Sequence, residues 1–404
     1  MCQSRPYQIE KLKKNPVFQL SLSSKELFHS NFLYWLSIYD REKFKKLVEE
    51  LVGQVKWGND DWKVYREDNH FDLSVRRVQQ KEDKSGNIEV KCEYLFVLEN
   101  KVKSIATKAQ LDEYYDKVQK ENEKAGNSVK CHFCLLTLTD DFVEEDAIKN
   151  QGVWEVKYYK DLAGCLEDVF LNGTCHNKDL YLIDQYRRYI ELLSDKTLLN
   201  IPKLDDKWDK TASDHFLEDI RLDDLRQKII ANLLATEVYV NVLTSLNLKV
   251  ELNISDEEIW KQAMAQDVIY LSAGYSNNRL LVHVSKFVTK DVLVRFEVEG
   301  DKYKRGVVFR KGALNPTQIS HISNNKFKSL LTSKIADLFD WDGSGPCSCF
   351  SQELDGGNVL VKVLFGTYNN AKRVMKYQGR KIPKGSTIAD VAKVLVEEMK
   401  KVKP

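Results

Sequence analysis

Between Phe71 and Tyr115 the apolar and polar positions fall into two strand-like runs followed by a helix. Phe71-Asp72-Leu73-Ser74-Val75 alternates apolar and polar residues with the period of two that a half-buried strand requires. Tyr94-Leu95-Phe96-Val97-Leu98 is continuously apolar and stops abruptly at Glu99-Asn100-Lys101. The charged link between them contains Ser85-Gly86-Asn87, turn residues that predict an antiparallel hairpin. A helix is predicted from about Ala106 to Glu123, with Gly126-Asn127 as its stop.

The flanking pattern extends this into an α/β domain over residues 1–200, a mixed sheet flanked by helices. Ser23 and Glu26 fit a capping box ahead of the apolar stretch Leu27 to Leu36, and a second helix covers Arg41 to Val52. Trp62 to Glu67, Val129 to Thr137 and Val153 to Tyr159 read as strands, and Lys160 to Phe170 and Lys178 to Leu193 as helices. Leu199 to Lys210 contains Pro202 and many charges without an apolar period, and reads as a linker. Residues 201–404 read as a second, α+β domain. It opens with a long helix from Ala212 to Leu246. Strands follow at Asp267 to Ser272, Leu280 to Ser285, Val292 to Glu297, Val307 to Arg310 and Val359 to Phe365. Helices cover Phe327 to Phe339 and Thr387 to Lys401, and Asp342 to Phe350 is a Gly- and Ser-rich loop.

A length of 404 residues supports two buried cores, and a net charge of +2 argues against binding nucleic acid through overall charge alone. The eight cysteines are scattered without a disulfide-like framework. The N-terminus lacks an apolar leader and no run approaches membrane-span length, so a cytoplasmic protein without membrane contact is expected. Cys131 and Cys134 with Cys347 and Cys349 have enough sulfur for zinc, but the first pair sits inside an apparent strand, where zinc knuckles are unusual. No G-x-x-x-x-G-K-[ST], G-x-S-x-G or H-E-x-x-H motif occurs.

Strand alternation puts Glu99 and Lys101 on one face and Asn100 on the other. If the two runs pair, Asp72 joins them. Two carboxylates and an amine suit a hard divalent cation beside a water and a phosphate. The bland alternative is a surface ion pair at a strand end. Charges that close an otherwise apolar strand call for a reason, however. Gln110 and Tyr114, four apart, share one face of the following helix.

Asp72…Glu99-Asn100-Lys101 resembles the signature of the PD-(D/E)xK nuclease superfamily. Gln110-x-x-x-Tyr114 is similar to the Q-x-x-x-Y helix motif of its RecB-type members, and the helix from Glu26 to Leu33 is similar to the opening helix of one uncharacterised branch. The resemblance covers the first half only, and His70-Phe71-Asp72 lacks the proline of the first motif. It implies a restriction-endonuclease-like fold and hydrolysis of phosphodiester bonds, in DNA, with Mg2+ or Mn2+. Asp72, Glu99 and the main-chain carbonyl of Asn100 would hold the metal. Lys101 would hold or deprotonate the attacking water, and Gln110 and Tyr114 would face the site. Glu26 is either the partner of Ser23 in the capping box or a helix carboxylate facing the metal, and structural roles are expected for His29 and Ser30. Because some superfamily members keep the scaffold and lose activity, a non-cutting module that binds nucleic acid or a protein is the alternative. Family habit suggests a prokaryotic phage-defence or mobile-element system, with the C-terminal half handling targeting, a protein partner or homo-oligomer assembly. In that half Lys372, Arg373, Lys376, Arg380, Lys381 and Lys384 form a basic run around Tyr377, either a solvated face or a phosphate-contacting patch. The tryptophans, Trp57, Trp62, Trp154, Trp208, Trp260 and Trp341 among them, are expected in the core.

Overall fold

In a computed structural model the described residues are 5–21, 26–58, 62–82, 88–102, 106–126, 129–138, 142, 144–172, 178–252, 259, 268–276, 279–289, 292–310, 364–369 and 373–402. The first unit opens with four helices, α1 (Arg5–Lys14), α2 (Pro16–Ser21), α3 (Glu26–Tyr39) and α4 (Arg41–Val52). Asp40 caps α4 by accepting from the Lys43 amide. Strands β1 (Trp62–Asp68), β2 (Phe71–Glu82) and β3 (Ile88–Lys101) follow, then α5 (Lys108–Ala125), β4 (His132–Thr137), α6 (Glu145–Gln151), β5 (Trp154–Tyr158) and α7 (Tyr159–Leu166). A π-turn, Glu167–Leu171, replaces the predicted last turn of α7. The next two helices are α8 (Lys178–Leu193) and α9 (Lys196–Leu199).

The sheet runs β1-β2-β3-β4-β5. β1, β2 and β3 are antiparallel, and β3, β4 and β5 parallel. A two-strand hairpin can be tied by a short turn, whereas parallel neighbours need a crossover, which α5 supplies between β3 and β4. Register aligns Lys101 with Thr137 and Thr137 with Tyr158, so three parallel strands end along one edge. On one sheet face Leu111 and Val118 of α5 pack with Tyr94, Val97, Phe133, Leu135 and Trp154. Gly126, in the left-handed region, ends α5.

β2 and β3 carry a bulge next to Val75. Asn122, buried in α5, repairs the ladder there: it accepts from the Tyr94 amide at 2.7 Å and donates to the Tyr94 carbonyl at 3.1 Å.

Two compact units divide the chain. One holds residues 1–200 and 215–225, the other 201–214 and 226–404. Residues expected to form a free linker are instead woven into the second unit. Trp208 is buried, its amide donates to Ser386 at 2.7 Å and its indole to Gly300 at 3.2 Å, and Lys207 bridges to Thr387. The charges of this stretch face out around one anchoring aromatic. The single helix expected from Ala212 to Leu246 is two, α10 (His215–Asp219) and α11 (Asp223–Leu246), interrupted where Arg221 turns left-handed.

α11 corrects a further expectation, since by length and composition alone it could cross a membrane. Two of its buried polar residues are satisfied within the second unit: Arg226 donates to the Ala212 carbonyl and Gln227 to that of Thr211. The second unit's sheet adds β6 (Lys249–Leu252), β7 (Val268–Ser276), β8 (Arg279–Thr289), β9 (Val292–Glu299), β10 (Lys302–Arg310), β11 (Leu364–Asn369) and β12 (Arg373–Lys381), in the order β11-β12-β10-β9-β8-β7-β6. The final helix, α12 (Ile388–Lys400), starts at a Thr387–Asp390 capping box and packs on β8 and β9. The expected helix Phe327–Phe339, the loop Asp342–Phe350 and residues 359–363 lie outside the described residues.

Candidate active site

The site begins at the turn joining β1 to β2. Asp68 pairs with Phe71, and the two residues between them, Asn69 and His70, have φ of 57° and 72°. Left-handed conformation at both centres is the two-residue hairpin turn whose twist matches the strands. Asn69 suits it, and its side chain donates to the Tyr94 hydroxyl at 3.0 Å. Lys117 of α5 grips the Asn69 carbonyl at 2.9 Å. Asp72 follows directly. Leu73 pairs with Leu98, which brings Asp72 alongside Glu99.

Glu99 is 3% exposed and Lys101 9%. They point to the same face, and Lys101 Nζ lies 2.6 Å from Glu99 Oε1. This is a buried ion pair rather than the surface pair of the bland alternative. Gln110 Nε2 donates to Glu99 Oε1 at 3.3 Å and to the Tyr114 hydroxyl at 2.9 Å. The Tyr114 ring meets the Phe71 ring edge-on at 5.2 Å, so the helix pair is braced by the residue next to Asp72. Thr107 caps α5 by accepting from the Gln110 amide, and Glu144 accepts from the Lys108 amide at 2.7 Å.

The Asn100 amide donates to Asp72 Oδ2 at 2.6 Å. Even so, burial, and then the charge of Glu99, push the Asp72 carboxyl up to about 7. Burial first, and Glu99 second, also raise the Tyr114 hydroxyl.

Two crowded carboxylates of which one resists ionisation are a donor set that a divalent cation would relieve, and they fit it. Among the described residues no group of three or more His, Cys, Asp or Glu side chains could hold a metal. The protein would therefore supply two carboxylates, with a main-chain carbonyl and waters completing the set, as magnesium commonly accepts.

The sequence also raised other residues. Glu26 is the first residue of α3, and its side chain lies outside the described residues, as does Ser23. His29 and Ser30 are wholly buried. Lys372 lies outside the described residues. Arg373, Lys376, Arg380 and Lys381 fall on β12, which pairs with β10 on one side and β11 on the other. The side chains of Arg373, Lys376 and Arg380 lie outside the described residues. Lys381 is exposed, 3.5 Å from Asp301. Cys131, just before β4, and Cys134, within it, are buried free thiols pushed up by burial, while Cys347 and Cys349 lie outside the described residues. Trp57, Trp62, Trp154 and Trp208 are buried, and Trp260 and Trp341 lie outside the described residues.

Sequence reasoning missed what stands behind the site. The Asn100 side chain accepts from the Tyr159 hydroxyl, and the Tyr159 ring meets His29 edge-on at 4.9 Å. Nothing local marks Tyr159, because its partners are dozens of residues away. Comparison with curated proteins and with solved structures finds no match. A family model described as the PD-(D/E)XK nuclease superfamily matches residues 15–188, which include Asp72, Glu99, Lys101, Gln110 and Tyr114. The superfamily supports a nuclease-type function, and its members generally use divalent metal ions. Over residues 15–188 the chain therefore matches the PD-(D/E)XK nuclease superfamily, whose fold its mixed sheet fits.

Proposed function

We propose that the chain is a nuclease that hydrolyses phosphodiester bonds in DNA with magnesium or manganese. The observation that carries this is the meeting of Asp72, Glu99 and Lys101 at the end of β3, with Gln110 and Tyr114 bonded behind Glu99. Asp72, Glu99 and the Asn100 carbonyl would hold the cation. Bound there, it would polarise the phosphoryl oxygen and lower the pKa of its water. Lys101 holds the attacking water and offsets negative charge growing on the phosphate oxygens. Gln110 fixes the rotamer of Glu99, and the Tyr114 hydroxyl keeps Gln110 in that orientation. The second unit lies outside the matched stretch, and in this proposal it carries target choice or assembly.

The test incubates supercoiled plasmid and linear duplex with the full chain and Mg2+ or Mn2+, beside Asp72→Ala and Glu99→Ala. Cleavage by the wild type alone, with both variants folded, is the expected result. Intact DNA in every lane, or equal cutting by Glu99→Ala, would overturn the proposal.

A further inference from the structure

β3 supports the site from both of its faces. On the face away from Glu99 and Lys101 lies a wholly buried aromatic block. Tyr159, the first residue of α7, gives its hydroxyl proton to Asn100 Oδ1. Its ring abuts His29, whose Nδ1 lies 2.9 Å from the Tyr186 hydroxyl, and Tyr186 stacks on Phe32 at 3.7 Å. Toward β4 the Asn100 backbone is paired with Leu136. Toward β2 the paired register ends at Leu73 and Leu98, two residues before Asn100. Beyond that pair, the Asn100 amide bond to Asp72 ties the two strand ends together. A twist of Asn100 about its own backbone would therefore move Asp72, and with it the Asn100 carbonyl.

We propose that Tyr159 is a positioning residue for the cation site, acting through Asn100. Its hydroxyl fixes the Asn100 side chain against a rigid block, and the backbone of Asn100 then holds Asp72 and presents its carbonyl at one orientation. This rests on the reading of Asp72 and Glu99 as cation ligands. Groups that orient metal ligands from behind typically cost about tenfold to a hundredfold in metal affinity when removed. Tyr159 acts at one remove from the carboxylates, so the lower end of that range, about tenfold, is expected.

The experiment titrates Mn2+ by electron paramagnetic resonance into the full chain, without nucleic acid, and records melting temperature in parallel. Four proteins are compared: wild type, Asp72→Asn, Tyr159→Phe, and Tyr159→Phe combined with Asn100→Leu. The double variant removes both hydrogen-bonding partners for similar apolar shapes, which restores stability without restoring the anchor. The expected result is tight binding by wild type and none by Asp72→Asn. Tyr159→Phe should bind about tenfold more weakly, and the double variant just as weakly while melting like wild type. Wild-type affinity in Tyr159→Phe would overturn the inference. So would recovery of affinity together with melting temperature in the double variant, since that is the signature of a merely structural contact. Absence of Mn2+ binding by wild type, or equal binding by Asp72→Asn, would remove the cation site itself and this inference with it.

Discussion

Acidification should destabilise the chain through His29. Its ring is wholly buried among Phe28, Tyr159, Tyr186 and Tyr189, its Nε2 has no hydrogen-bond partner among the described residues, and burial holds it down at about 3 against an ordinary 6.5. The folded chain therefore refuses a proton that the unfolded chain accepts below 6.5. Stability is full above that value and falls as pH drops toward about 3. Within this window the slope is about 1.4 kcal/mol per pH unit, so going from about pH 7.5 to about pH 5 removes about 2 kcal/mol. Urea unfolding followed by tryptophan fluorescence across that range measures the loss. Other groups titrate too, so the comparison is with His29→Phe. The phenyl ring can keep the stack on Tyr189 and cannot be protonated. Losing the bond to Tyr186 lowers the variant's stability by a roughly constant ~1 kcal/mol. The two stability curves should therefore converge and cross near about pH 6, leaving the variant about 1 kcal/mol more stable than wild type at about pH 5. Parallel curves would show that the imidazole does not resist protonation in the folded chain.

Lys101→Met should leave Mn2+ binding in place and reduce the DNA cleavage rate by about a hundredfold or more, read from single-turnover rates at saturating metal; a rate within a few-fold of wild type would sink the role given to the amine. His70→Gly should raise the unfolding free energy by about 1 kcal/mol, because glycine occupies the left-handed turn position without the Cβ clash, and urea midpoints will report it. Asn122→Leu strands the amide and carbonyl of Tyr94 at the bulge, and should cost about 1–3 kcal/mol in the same assay; a neutral result would mean that the bulge finds other partners.

The parts of the molecule with local chemistry were legible before any coordinates. The long hairpin showed in the alternation of Phe71 to Val75, the turn residues Ser85-Gly86-Asn87 lying outside the described residues, and the end of α5 showed in Gly126. The site geometry followed from two periodicities: alternation set Glu99 and Lys101 together, and helical spacing set Gln110 beside Tyr114. What could not be read depends on distant partners. Trp208 turns a polar stretch into an anchored strap only because Gly300 and Ser386 receive its donors. Arg221 breaks a helix whose apolar pattern continues through it. β12 looked like a surface charge run because basic residues dominate it, whereas two neighbouring strands decide that it is an interior strand.

The chain's route between its two units governs how it can be taken apart. A cut after Asn200 looks natural, yet it would strip the N-terminal fragment of residues 215–225, among them the fully buried Leu217 and Leu222. Such a fragment would expose the apolar seat of those leucines and tend to aggregate. A soluble N-terminal unit is better sought by keeping the chain to Leu225, or by joining residue 200 to 215 through a short glycine-rich bridge in place of the excised segment.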